Sequence, residues 1–159
     1  MAVEIGIDVE LLKREIKKTY ASVSQQPETD FVFPTGRAWA EDLRYPPELA
    51  HVPDGAVESF AGVANPWELG RLSPGEHVLD LGCGAGTDSL VAAQMVGAEG
   101  SVGGVDMTRE MLAKARAAAA EMDACSSSHR VLSWLFRERP SDAALAGRAD
   151  VAARLAAAG

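Results

Sequence analysis

The chain is poor in the residues that build metal centres and disulfide frameworks. Its 159 residues include two cysteines and three histidines. Cys83 and Cys125 form no CxxC pair, and Cys125 with His129 supplies too few ligands for a four-coordinate zinc site. No metal is therefore expected, and sparse cysteine fits a reducing, cytoplasmic setting. No run of about 18 apolar residues is present, so no membrane span is expected. The opening MAVEIGIDVE lacks the basic-then-apolar order of an export signal. Positive charge is in the minority, with 15 Lys and Arg against 23 Asp and Glu and a formal net charge of -8. Nucleic-acid binders need a basic face. That class falls away, and a small molecule becomes the expected partner.

What is present is 47% hydrophobic, in a chain long enough to bury a core. Residues 8–23 read as an amphipathic helix, with Asp8 as N-cap and Val9, Leu12, Ile16 and Tyr20 recurring at steps of three and four. Lys13, Arg14, Lys17 and Lys18 fall on the side expected to face water. Pro27, Pro34 and Gly36 punctuate a loop, and a short helix over 37–44 ends before Tyr45-Pro46-Pro47. Asp54-Gly55 opens another helix running towards Phe60. Asn65-Pro66 is a cap and first-turn pair, with Trp67 and Leu69 expected to face inward.

After the turn Ser73-Pro74-Gly75-Glu76 comes the first convincing strand, His77–Leu81. A glycine turn over 82–87 leads into a helix closed by Gly97. A second strand spans Ser101–Asp106. Thr108 then caps an Ala-rich helix over 109–122. Strand and helix alternating through short links predict an α/β, Rossmann-like parallel sheet. The expected organisation is a helical cap region over 1–72, a cofactor-binding half over 73–122, and a divergent tail over 123–159.

The chemistry concentrates in Asp80-Leu81-Gly82-Cys83-Gly84-Ala85-Gly86. A strand that runs into glycines and then a helix turns sharply and leaves free backbone N–H groups at the helix start. Asp106 ends the second strand roughly 20 residues beyond the glycines, where a carboxylate accepts hydrogen bonds from both ribose hydroxyls of an adenosine. The dinucleotide fingerprint G-x-G-x-x-G wants its third glycine at position 87, which is Thr87, whereas the glycine falls at Gly86. The spacing therefore favours S-adenosylmethionine over NAD. Asp80 is placed to bind its amino group, directly or through water. Met107 is expected against the adenine. Cys83 fills a slot in the loop that wants a small residue. Asp88 suits the helix dipole and is a candidate to touch the cofactor. Tyr20 is read first as core, with a cation–π contact to the sulfonium as the sharper alternative.

HVLDLGCGAGTDSLVAAQMVG and GVDMTREMLAKARAA resemble the first two motifs of class I S-adenosylmethionine-dependent methyltransferases. The resemblance is to the branch that holds arsenite methyltransferases and UbiE-like enzymes, and SFAGVANPWELG upstream fits it too. It implies a seven-stranded sheet, an adenosyl-binding Asp106, N-terminal helices covering the cofactor, and methyl transfer to a small-molecule acceptor.

Three features depart from that pattern. The family holds trivalent arsenic with cysteine thiolates, one of them two residues before the Asn-Pro pair, where this chain has Val63. Gly103 stands inside the second strand where a bulky apolar residue is usual. After Met122 the composition turns to Ala, Arg and Ser, and only one strand (131–136) and one helix (150–158) are discernible. The reading is that the tail is not the family's second half, through a shifted frame or a rearrangement. An incomplete sheet would leave a strand edge exposed, through which a homo-oligomer could form. Two alternatives stay open: a non-catalytic remnant binding cofactor weakly or not at all, and an NAD-dependent oxidoreductase.

Overall fold

In the computed structural model the described residues are 8–26, 29, 31–125 and 137–138. Helix α1 (Val9–Gln25) starts at Asp8, whose carboxylate accepts from the backbone N–H of Glu10 and Leu11. Its expected apolar stripe is largely uncovered: Val9 is 54% and Leu12 47% exposed. Its buried residues are Val23 and Ser24, in the last turn, and the helix contacts α5 (Arg109–Cys125). Periodicity announces an apolar face without guaranteeing a neighbour for it.

The cap region is a chain of short elements: α2 (Gly36–Asp42), a 3-10 turn at Pro47–His51, α3 (Asp54–Val57), and a second 3-10 turn at Pro66–Leu69. The Arg37 guanidinium staples them, donating to the carbonyls of Leu49 and Val52 and to Asp54. Trp39 plugs the region and donates its Nε1–H to the Gly62 carbonyl at 2.7 Å. Asn65 caps the second 3-10 turn by accepting from the Trp67 N–H. The inward placement expected for Leu69 is corrected, since it is 95% exposed. A 3-10 turn has about three residues per turn, so Leu69 lies above Pro66 and away from Trp67.

Strand β1 (His77–Leu81) pairs in parallel with β2 (Ser101–Asp106), from His77 opposite Ser101 to Leu81 opposite Val105. The β2 ladder survives Gly103, which stands opposite Leu79. Between the strands runs α4 (Thr87–Val96), closed by Gly97 at φ 66°. It is apolar and buried on nearly every side, through Leu90, Val91, Ala92, Ala93, Met95 and Val96, because it lies between the sheet and the first 3-10 turn. After α5, the two-residue strand β3 (Arg137–Glu138) pairs in parallel with β2, giving the order β1-β2-β3. This is a partial Rossmann-like fold. The strand expected over 131–136 and the helix over 150–158 lie outside the described residues. Among the described residues no helix is long and apolar enough to cross a membrane.

Candidate functional site

The C-terminal ends of β1 and β2 meet in one place because the two strands are parallel and in register. The chain leaves β1 through Gly82, Gly84 and Gly86, all at positive φ (84°, 53° and 92°). A side chain there would be strained. The space a Cβ at Gly82 or Gly84 would enter is open, with no heavy atom within 4 Å. Gly86 is the N-cap of α4, and its N–H closes the turn onto the Cys83 carbonyl at 2.8 Å.

Asp106 is set across this turn. Its Oδ2 accepts from the Gly84 N–H at 2.9 Å and its Oδ1 from the Thr108 N–H at 2.7 Å. A carboxylate has about four acceptor positions, so each oxygen keeps room for another donor. The carboxylate is fixed in orientation without being used up.

Around these groups lies a cavity of about 500 Å³. Tyr20, Gly82, Cys83, Gly84, Asp88, Asp106 and Met107, all singled out from sequence, line it together. Phe60, Gly62 and Met111 are lining residues that sequence reasoning passed over. Asp80 and Gly86 are not among the lining residues. The Asp80 carboxylate accepts from the Ser89 hydroxyl at 2.6 Å, and burial raises its pKa. A contact from Asp80 to the amino group, directly or through water, would use the acceptor positions that Ser89 leaves. Tyr20 stacks near Phe33, with ring centroids 6.1 Å apart, while also bordering the cavity.

Burial dominates the electrostatics. The Cys83 thiol is pushed up to about 12 by desolvation, then by Asp80 and Asp106, so it stays a neutral thiol near pH 7. Asp88, the second residue of α4, is pushed up to about 6 by burial, against the nearby Tyr45 and Trp67 donors, which favour its charged form. No lysine or arginine lines the cavity, so the described wall carries negative charge and suits a cationic guest.

Thr87 occupies the slot where a dinucleotide fold has its third glycine. Its hydroxyl is buried and donates to the Ala56 carbonyl at 3.3 Å, tying α4 to α3. A second tie comes from α5, where Lys114 Nζ donates to Glu58 at 2.6 Å and to Ser59 Oγ at 2.8 Å. The cap region is thereby held over the glycine turn. Among the described residues no group of His, Cys, Asp and Glu is arranged to hold a metal ion.

Residues 72–128 match a family described as a methyltransferase domain. An arsenite methyltransferase of Halobacterium salinarum is 52% identical over 77 residues, 48% of this chain and 19% of that protein. One from Aquipseudomonas alcaligenes is 63% identical over 46 residues, 29% of this chain and 13% of that protein. Among solved structures, an arsenic(III) S-adenosylmethionine methyltransferase from Chlamydomonas reinhardtii superposes with a TM-score of 0.50 at 37% identity, covering 60% of this chain and 32% of that one. The chain thus spans about a fifth or less of the length of these two curated relatives.

Proposed function

We propose that this chain, which over a segment resembles the class I S-adenosylmethionine-dependent methyltransferases of the arsenite methyltransferase branch, holds S-adenosylmethionine in the cavity at the ends of β1 and β2 and serves methyl transfer to a small-molecule acceptor. The observation that carries the reading is the shared cavity of Asp106 and the glycine turn. The Asp106 carboxylate, pre-oriented by two backbone N–H groups, has acceptor positions left for a ribose diol. The open space at Gly82 and Gly84 lets the methionine end lie against the backbone. Met107 offers an apolar side to the adenine, and Cys83, held neutral by burial, serves as a small lining group.

When bound, the cofactor supplies a methyl group already activated on a sulfonium. The protein's share is then proximity and orientation rather than acid–base chemistry. The cap region, fastened through Thr87 and Lys114, is suited to exclude water from that side of the cavity. An NAD reading is not supported: the buried, bonded Thr87 side chain fills the position that a dinucleotide fold keeps bare. Nor does the reading extend to arsenite as acceptor. Trivalent arsenic calls for soft thiolate ligands, whereas Cys83 is a buried neutral thiol and Val63 stands 94% exposed where the branch places a cysteine.

Calorimetric titration of the full chain with S-adenosylhomocysteine and with NAD tests this. Binding of the first and not the second is expected. Asp106→Ala should weaken it about tenfold or more, since hydrogen bonds to a charged group are lost. Equal affinity of wild type and Asp106→Ala would refute the assignment.

A further inference from the structure

We infer that Tyr45 and Trp67 are positioning residues that hold the Asp88 carboxylate from behind, so that it meets the amino group of the methionine moiety across the cavity. The inference rests on the cofactor reading above and extends it to two residues that do not line the cavity.

Three buried polar atoms at this spot, Tyr45 Oη, Trp67 Nε1 and Asp88 Oδ1, make no hydrogen bond of normal geometry. Two are donors, the third is an acceptor, and both donors lie close enough to favour the charged form of Asp88. Hydrogen bonds of a site without its ligand are often long or misaligned and tighten in the complex. Asp88 itself lines the cavity, whereas Tyr45 and Trp67 stand outside it. Asp88 therefore borders the cavity and has both donors as neighbours.

The placement of both donors is built into the backbone. At the end of α2 the Arg44 N–H donates to the Glu41 carbonyl and the Tyr45 N–H to the Ala40 carbonyl, which sets the direction of Tyr45. The Tyr45 ring is seated edge-on against Phe60, with centroids 5.0 Å apart. Asn65 then joins the two segments: its Oδ1 accepts from the Trp67 N–H at 3.0 Å, and its Nδ2 donates to the Arg44 carbonyl at 2.8 Å. One amide fixes the chain at both donors. Asp80, on β1, repels the Asp88 charge, and no basic group among the described residues is a cause of its shift. A cationic amino group would supply the missing counter-charge, and binding it would favour ionised Asp88.

The test is the pH dependence of S-adenosylhomocysteine affinity from pH 5 to 8, read by calorimetry on the full chain. A ¹³C carboxyl titration of Asp88 without ligand runs beside it. In wild type, affinity should rise through pH about 6 as Asp88 ionises. Tyr45→Phe and Trp67→Phe each remove one donor and keep a ring. Both should move the midpoint upward in each measurement and weaken binding about threefold at pH 6.5, with less loss at pH 8. Should a ring variant fail to fold, Asn65→Asp keeps the cap on Trp67, loses the donor to Arg44, and should shift the midpoint the same way by less. Wild-type binding with midpoints unmoved in all variants overturns the inference alone. No binding of S-adenosylhomocysteine by wild type overturns the cofactor reading, and the inference with it.

Discussion

Asp88 shows how one side chain is asked to do two incompatible things. Buried beside the negative Asp80, it is pushed from an ordinary 3.8 to about 6. A carboxyl raised on folding binds its proton more tightly in the folded state, so folding stability falls as pH rises from about 4 to about 6. Above pH 6 the full cost of the buried charge is present. A shift of roughly two units corresponds to about 3 kcal/mol at most. Asp88→Asn removes the charge and keeps an oxygen for Tyr45 and Trp67. It should raise the melting temperature at pH 7.5, by about 1–3 kcal/mol of stability, and flatten its dependence between pH 4 and 6. Thermal melts across that range check it. A variant no more stable at pH 7.5 than wild type would mean that burial is not the dominant cause of the shift. Stability gained in this way would come with weaker binding of a cationic ligand, as expected where a binding site keeps an unfavourable charge.

At the scale of elements, the end of α2 is made to a stricter pattern than its sequence suggests. Arg44 sits at φ 58°, the single positive-φ non-glycine among the described residues. Its N–H and that of Tyr45 close the paired hydrogen bonds of a Schellman motif, a place that favours glycine. Arg44→Gly should therefore stabilise the chain by roughly 0.5–1 kcal/mol, readable as a higher denaturant midpoint. Destabilisation would show instead that the arginine side chain makes up for its backbone strain. What could be read from sequence follows the range over which each signal acts. The Asp8 cap, the glycine turn and the position of Asp106 are local, set by backbone conformation and strand length, and the sequence carries them directly. The Val9-Leu12-Ile16-Tyr20 stripe forms a helix as its period requires, but whether anything covers it depends on other segments. The approach of Tyr45 and Trp67 to Asp88 joins residues far apart in sequence through an asparagine whose visible signal was only a helix cap. Asp80 is half legible for a related reason: its place before the loop is local, whereas the bond its Oδ2 accepts from Ser89, nine residues on, is not visible in the sequence.

For the molecule as a whole, the arrangement of the sheet matters more than its size. Residues 78, 80, 102 and 104 face the buried side, with Val102 7% exposed and Val78 packed on the core. On the opposite face Leu79 is 64% and Leu81 76% exposed. Parallel sheets ordinarily have both faces covered, and in doubly wound sheets of order 3-2-1-4 the first strand lies inside the sheet. Here, among the described residues, β1 is an edge, with an apolar face beside unpaired backbone groups. Such an edge pairs readily with another chain. The full chain should consequently self-associate as its concentration rises. Leu79→Lys puts a charge on the bare face, opposite Gly103 where no side chain is crowded, and well away from Asp106 on the other side of the ladder. It should shift the population towards monomer in light scattering while leaving the affinity for S-adenosylhomocysteine within about twofold, because surface changes of this kind alter stability little. If wild type is monomeric at every concentration, something outside the described residues already covers this face. If Leu79→Lys loses ligand binding along with self-association, the cavity is complete only when a second copy lies against β1.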